Sequence, residues 1–348
     1  MVVPSVDAVH RITKKASKMS LGKAVSLRRM TDDREIFRMT SLDQLPPIRD
    51  ALRPKAAAGA DPEADMIRFK RLVIENFQDH MTAMLLDPGY AVAACVEALK
   101  PDKGLFISLE DPYSPKTEVG ATKTELTADW TVGKAKRIGG DAVKLLIWYR
   151  PDGAPDVNAH QQNLVRQVGE LCQHYDIPFI LELLAYPGDK RSDGPENTVL
   201  DSVATFAQPE YHVDAFLFES PVPAMEIPEF DGDGSALVLD CYKRLSEIAG
   251  RPWIMMSMGA DMEQFHRIMR FAYAAGCSGY LAGRAYWLDA LERYPNWSEV
   301  SSVMAATVRI FVEPLNALTK THAAPDHAFH AISNRQTGAQ FCRSYQDL

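Results

Sequence analysis

Cysteine is scarce and scattered. Cys95, Cys172, Cys241, Cys277 and Cys342 occur singly, with no CxxC pair and no spacing suited to zinc, which points to reduced thiols in a cytoplasmic protein. No apolar run is long enough to span a bilayer, and no h-region with a small-residue cleavage site opens the chain, so neither a membrane span nor a signal peptide is expected. Positive charge is in deficit, with 38 Lys and Arg against 46 Asp and Glu, a net charge of −8 and a pI near 5.6. That balance, with no basic patch interleaved with aromatics, excludes a nucleic-acid footprint. A GxGxxG after the first strand candidate is also missing, which argues against a doubly wound dinucleotide fold.

Hydrophobic residues make up 46% of the 348 and charged residues 24%, an ordinary globular balance. Short apolar or β-branched runs alternate with helix-period segments from residue 36 onward. Strands are expected at 36–43, 81–87, 104–111, 141–149, 178–186, 214–222, 253–259 and 279–284, with helices such as 158–175, 235–249 and 262–275 between them. Eight βα units with right-handed crossovers close into a (β/α)8 TIM barrel, which uses about 250 residues. The expected division is a leader arm at 1–34, the barrel at 35–320 and a polar tail at 321–348. The segment 10–30 carries Arg11, Lys14, Lys15, Lys18, Lys23, Arg28 and Arg29 with too few apolar residues to anchor a membrane-surface helix, so it reads as a solvated arm. The long loops 112–127 and 223–234 follow strand ends and read either as lids or as surface excursions. An extra helix is expected at 303–319. His322, His327 and His330 of the tail form no metal-like pattern.

Barrel enzymes place their chemistry at strand C-terminal ends. Asp43 and Gln44 end strand one, Asp87 strand two, Glu110 and Asp111 strand three, and Glu219 lies late in strand six. Lys144 interrupts the apolar run DAVKLLIWY and Glu182 interrupts PFILELLAY, so both are expected at matching depth on adjacent strands, pointing inward. A buried ion pair contributes little net stability, which favours a functional role. After strands seven and eight, MMSMG and AGRAYW supply Ser257, Gly259, Gly283 and Arg284. Together they offer backbone amides, a hydroxyl and a guanidinium, the parts of a phosphate site.

These residues carry a resemblance. GGDAVKLLIWYRPDG, CQHYDIPFILELLAYP, SLGKAVSLRRMTDDREIF, MTAMLLDPGY and the closing stretch PWIMMSMGADMEQFHRIMRFAYAAGCSGYLAGRAYW follow, in order, blocks of the tagatose 1,6-bisphosphate aldolases, the LacD-type class I enzymes. The resemblance implies that Lys144 and Glu182, with Asp43, serve proton transfer, that Gln44 binds substrate, and that Ser257, Gly259, Gly283 and Arg284 hold phosphate. It also implies a homodimer. Two departures stand out. Leu45 replaces the arginine of the family's DQR, and Leu217 in DAFLFESP falls where the family's DVLKVEVP-like motif carries its Schiff-base lysine. Leucine cannot attack a ketone.

Three readings remain open on the sequence. The first is an aldolase-type lyase on a phosphorylated ketose or related sugar acid, with an altered mechanism and no cofactor. The second is a sugar-phosphate isomerase or epimerase using Lys144 and Glu182, with a divalent metal on Asp43, Asp87, Glu110, Glu182 or Glu219 as an option. The third is a non-catalytic phosphosugar-binding protein.

Overall fold

The computed structural model describes residues 19–55, 61–117, 121–186, 195–324 and 338–345. Eight parallel strands form a closed barrel in chain order: β1 Phe37–Leu42, β2 Ala83–Leu86, β3 Gly104–Ser108, β4 Ala142–Trp148, β5 Phe179–Leu184, β6 Ala215–Phe218, β7 Trp253–Met256 and β8 Gly279–Ala282. The expected fold is the observed one. Each strand stops short of its expected end, so Asp43, Asp87, Glu110 and Glu219 sit just beyond their strands, and Arg284 opens the helix Arg284–Leu291.

Strand alternation sorts the side chains. Along β4, Val143, Leu145 and Ile147 join the large core between barrel and helices, while Leu146 and Trp148 turn to the inner cluster with Phe106, Ile180, Leu217 and Ile254. The barrel closes where β8 meets β1, and there Gly279 adopts φ +151° with Phe37 O only 2.0 Å from where a Cβ would stand. No side chain fits that seam.

The expected solvated arm is corrected over residues 20–30. Ser20 caps a helix, Leu21–Arg29, whose Lys23 places Nζ 2.7 Å from Asp214 Oδ2, both buried. Leu27 and Met30 join the barrel's inner cluster. Asp214 directly precedes β6, so this helix plugs the end opposite the strand C-termini. Residues 1–18 lie outside the described residues. At the other terminus, the expected helix 303–319 is split into Trp297–Thr307, a wider turn Val308–Val312 and Glu313–His322. A helix Gly338–Ser344 follows, after which the Tyr345 hydroxyl donates to Asp176 Oδ2 (2.6 Å) and accepts from Gly22 N (2.8 Å). His322 is exposed at a helix end, and His327 and His330 lie outside the described residues.

Over its described residues, 112–117 and 121–127, the loop after β3 is not a free flap. Its limbs pair through Glu110 with Leu126 and Lys116 with Thr122. The buried Gln161 amide then donates to Thr122 O (3.1 Å) and Trp148 O (3.0 Å) and accepts from Thr124 N (3.2 Å). His160 and the Lys123–Asp156 pair add further ties. A hairpin pinned to β4 in this way is a fixed wall of the mouth.

Candidate active site

Lys144 lies at the centre. It is fully buried, yet its ammonium has three carboxylate partners: Asp43 Oδ2 at 2.7 Å, Glu182 Oε2 at 3.0 Å, and Glu110 Oε1. The three arrive from β1, β5 and β3 respectively, so the cluster exists only once the barrel has closed. Glu110 is fixed further by accepting from Leu146 N through Oε2 (3.1 Å). The expected matching depth is corrected by the register. Lys144 stands opposite Ile180, and Glu182 stands opposite Leu146, two residues nearer the mouth, so the carboxylate reaches back to Nζ. Glu110, which the sequence offers only as a possible metal ligand, is a full member of the cluster.

Burial disfavours the Lys144 ammonium, but the charges of Asp43, Glu110 and Glu182 outweigh it and hold the amine well above the usual lysine range. Glu182 responds in the opposite sense. Burial pushes its carboxyl up to about 7, against the pull of Lys144 and with the help of the Asp43 and Glu110 charges. Among the described residues, no group of three or more His, Cys, Asp or Glu is arranged to hold a metal ion. The ammonium already occupies the point where the three carboxylates converge.

Asp43 and Gln44 owe their position to a residue the sequence reading passes over. Lys70 lies on the buried face of the helix Pro62–Phe77 among Met66, Phe69, Val73 and Phe77. Its Nζ donates to Leu42 O (2.6 Å), Gln44 O (3.3 Å) and Asp87 Oδ1 (2.6 Å). A lysine on an apolar helical stripe was the available signal. Asp87 is thereby a structural partner, and it also caps Tyr90 N and Ala91 N. Glu219 is likewise turned to the backbone, accepting from Ala185 N (2.6 Å), with burial pushing its carboxyl up to about 7.

Above the cluster opens a cavity of about 470 Å³. Asp43, Gln44, Glu110 and Glu182 line one part of it, Ser257, Gly259, Gly283 and Arg284 another, and Lys116 and Ser114 of the hairpin a third. The sequence-chosen residues thus share one cavity, with Lys144 beneath its carboxylate floor. Gly259, at φ +83°, turns the backbone after β7, and Gly283 precedes the helix Arg284–Leu291 without a capping side chain. Tyr286 N donates to Gly283 O (2.7 Å), and no side chain caps the amides of Arg284 and Ala285 ahead of it. Leu217 is buried in the inner cluster, opposite Glu182 on one side and Ile254 on the other.

A closed eight-stranded barrel with a lysine and carboxylates at the strand C-terminal mouth and an arginine at its last strand defines an enzyme of the aldolase class. The model described as DeoC/LacD family aldolase matches residues 49–289, and the chain belongs to that family. It is 30% identical over 292 residues to the tagatose 1,6-diphosphate aldolase of Lactococcus lactis subsp. lactis, covering 78% of this chain and 86% of the relative. Tagatose 1,6-diphosphate aldolase 2 of Enterococcus faecalis is 28% identical over 327 residues, covering 89% and 97%. Among solved structures, the fold is similar to the fructose-bisphosphate aldolase of Plasmodium falciparum (TM-score 0.64, 11% identity, covering 89% of this chain and 99% of that one). An archaeal fructose 1,6-bisphosphate aldolase is similar as well (TM-score 0.53, 15% identity, covering 84% and 99%). At those identities the structural likeness speaks to the fold.

Proposed function

We propose that the protein is an aldolase-type lyase that cleaves a phosphorylated ketose by acid–base chemistry at the Lys144 cluster, without an imine. The observation that carries this reading is the ring of three carboxylates around Lys144 Nζ. An imine needs a neutral amine with an open approach, whereas this amine is an ammonium beneath its partners.

Asp43 and Glu182 divide the work, while Glu110 is held by Leu146 N as well as by Lys144. Asp43, whose Oδ2 holds Lys144, lines the cavity and is the acceptor for a substrate hydroxyl proton. Glu182, retaining its proton to about pH 7, is the donor to the ketone oxygen. Asp43 removes the proton from the hydroxyl β to the carbonyl. The bond between the α and β carbons breaks, its electrons form the carbon–carbon double bond of an enediol, and the ketone oxygen takes the Glu182 proton. The β carbon leaves as an aldehyde. Return of the enediol proton to Glu182 and protonation of the α carbon from Asp43 release the second product and reset both groups. Lys144 touches both carboxylates throughout, so the site's net charge is unchanged as protons cross it, which limits reorganisation. No metal takes part in this scheme.

The pH dependence follows from the sign of the Glu182 shift. The acid form is required, so kcat/KM should hold below about pH 7 and fall about tenfold per unit above it. Glu182→Gln should remove that limb together with most of the activity, and Glu219→Gln should leave the limb in place. A rate that rises through pH 7 would instead make Glu182 the base. In stability the same shift costs the folded state as pH rises from the ordinary carboxyl range to about 7, because the unfolded chain releases that proton more readily.

Arg284, exposed at the cavity wall beside Gly283, is assigned to the substrate phosphate. Losing one charge-assisted contact removes about 1.5–3 kcal/mol of binding, so Arg284→Ala should raise KM by roughly 10- to 100-fold with little change in Tm. An unchanged KM removes the assignment.

A further inference from the structure

The cavity wall is divided by chemistry. Its carboxylates come from β1, β3 and β5, and Ser257, Gly259, Gly283 and Arg284 follow β7 and β8. The strands form a closed ring in chain order, so the exit of β4 lies across the mouth from β8, with β5 beside it. There the lining is carbon. Trp148 of β4 and Leu184 of β5 are register partners, and Leu146 stands two residues before Trp148 on the same face. All three pack in or against the inner cluster and line the cavity, Leu146 and Trp148 being only half-buried.

The hydroxyls of the adjoining hairpin are already engaged. Thr124 Oγ1 donates to Leu146 O (3.2 Å) and accepts from Gln161 Nε2 (3.2 Å). Ser114 Oγ donates to Asp111 O (2.6 Å) and accepts from Glu125 N (3.0 Å). Lys116 stays exposed to solvent. A substrate hydroxyl carried onto Trp148 and Leu184 would exchange water for carbon, whereas a methyl group gains by the same burial. We propose that the substrate is deoxygenated at the end remote from its phosphate, and that Trp148 and Leu184 select a terminal methyl over a hydroxymethyl group. The chemical class is a 6-deoxy-ketohexose 1-phosphate. Arg284 takes the phosphate, the Lys144 cluster serves the middle of the chain, and C6 meets the β4–β5 wall. The proposal rests on the phosphorylated-ketose reading above and adds which substrate feature sets specificity.

The test compares fructose 1-phosphate and tagatose 1-phosphate, each with its 6-deoxy counterpart, on the full-length protein. Wild type should favour the 6-deoxy member of at least one pair by roughly 10- to 100-fold in kcat/KM, the discrimination an apolar pocket makes against an added hydroxyl. Leu184→Asn keeps the side-chain size but puts an amide into the wall, and should bring that pair within about threefold of each other. Trp148→Gln, at the half-buried position, makes the same test should the first variant fail to fold. Trp148→Phe retains an apolar ring and should retain the preference. Equal rates within both pairs, a preference for the hydroxylated members, or a preference unchanged in Leu184→Asn and Trp148→Gln would overturn the proposal. Calorimetric Kd values on the same four compounds separate it from the cleavage reading. Tighter binding of a 6-deoxy compound without cleavage sinks the reaction but keeps the wall, and cleavage without preference does the reverse. Binding of none of the four overturns both.

Discussion

Lys144→Met is expected to abolish turnover, lowering kcat by at least about 10²- to 10⁴-fold, the contribution of a positioned proton-transfer system. The side chain fits the space but leaves Asp43, Glu110 and Glu182 facing one another without a counter-ion. Removing one partner of a buried ion network costs about 3–5 kcal/mol. The three carboxyls should relieve that cost by taking up protons, so the variant should gain stability as pH falls from 7.5 to 5. Urea unfolding at the two values checks the sign. Wild type should show a smaller acid-side gain, arising from Glu182 and Glu219, because the Lys144 ammonium is held well above the usual lysine range and stays charged across the window. A variant with wild-type kcat would place the chemistry elsewhere in the barrel.

Leu217→Lys is expected to create an amine that forms an imine with ketose phosphates. Residue 217 faces the barrel interior, in register with Glu182, over a floor of Ala215, Ile180 and Ile254. An apolar floor lowers an amine's pKa, and unlike Lys144 the new side chain meets no ring of three carboxylates. Burying it costs up to a few kcal/mol, so the variant should fold with a reduced Tm. Borohydride reduction in the presence of a ketose phosphate, followed by peptide mapping, should find the adduct on residue 217. A folded variant without an adduct would show that β6 does not present this position to the substrate.

Much of this site was legible because barrels put polar residues where apolar ones are expected. Lys144 and Glu182 each break a buried strand, and Ser257, Gly259, Gly283 and Arg284 follow the last two strands, so chain order alone gathers them at one mouth. The carboxylate ring was not legible in full. Glu110 lies just past β3, where strand alternation no longer fixes direction, and only the closed barrel brings it onto Nζ. Lys70 acts through the backbone turn after β1, a relation between segments that no local pattern encodes. The helix at 21–29 was misread because its charges suggested solvent. Lys23 is in fact matched by Asp214, nearly two hundred residues away.

The central claim is that carbon–carbon cleavage proceeds here without a covalent enzyme–substrate bond. The most direct measurement is intact-protein mass spectrometry of the wild-type protein incubated with a panel of ketose phosphates, with borohydride present and aldehyde release followed in parallel. Aldehyde release that continues undiminished on a protein of unchanged mass is the predicted result. A mass increase of one reduced substrate-derived adduct on Lys144, accompanied by inactivation, would contradict it.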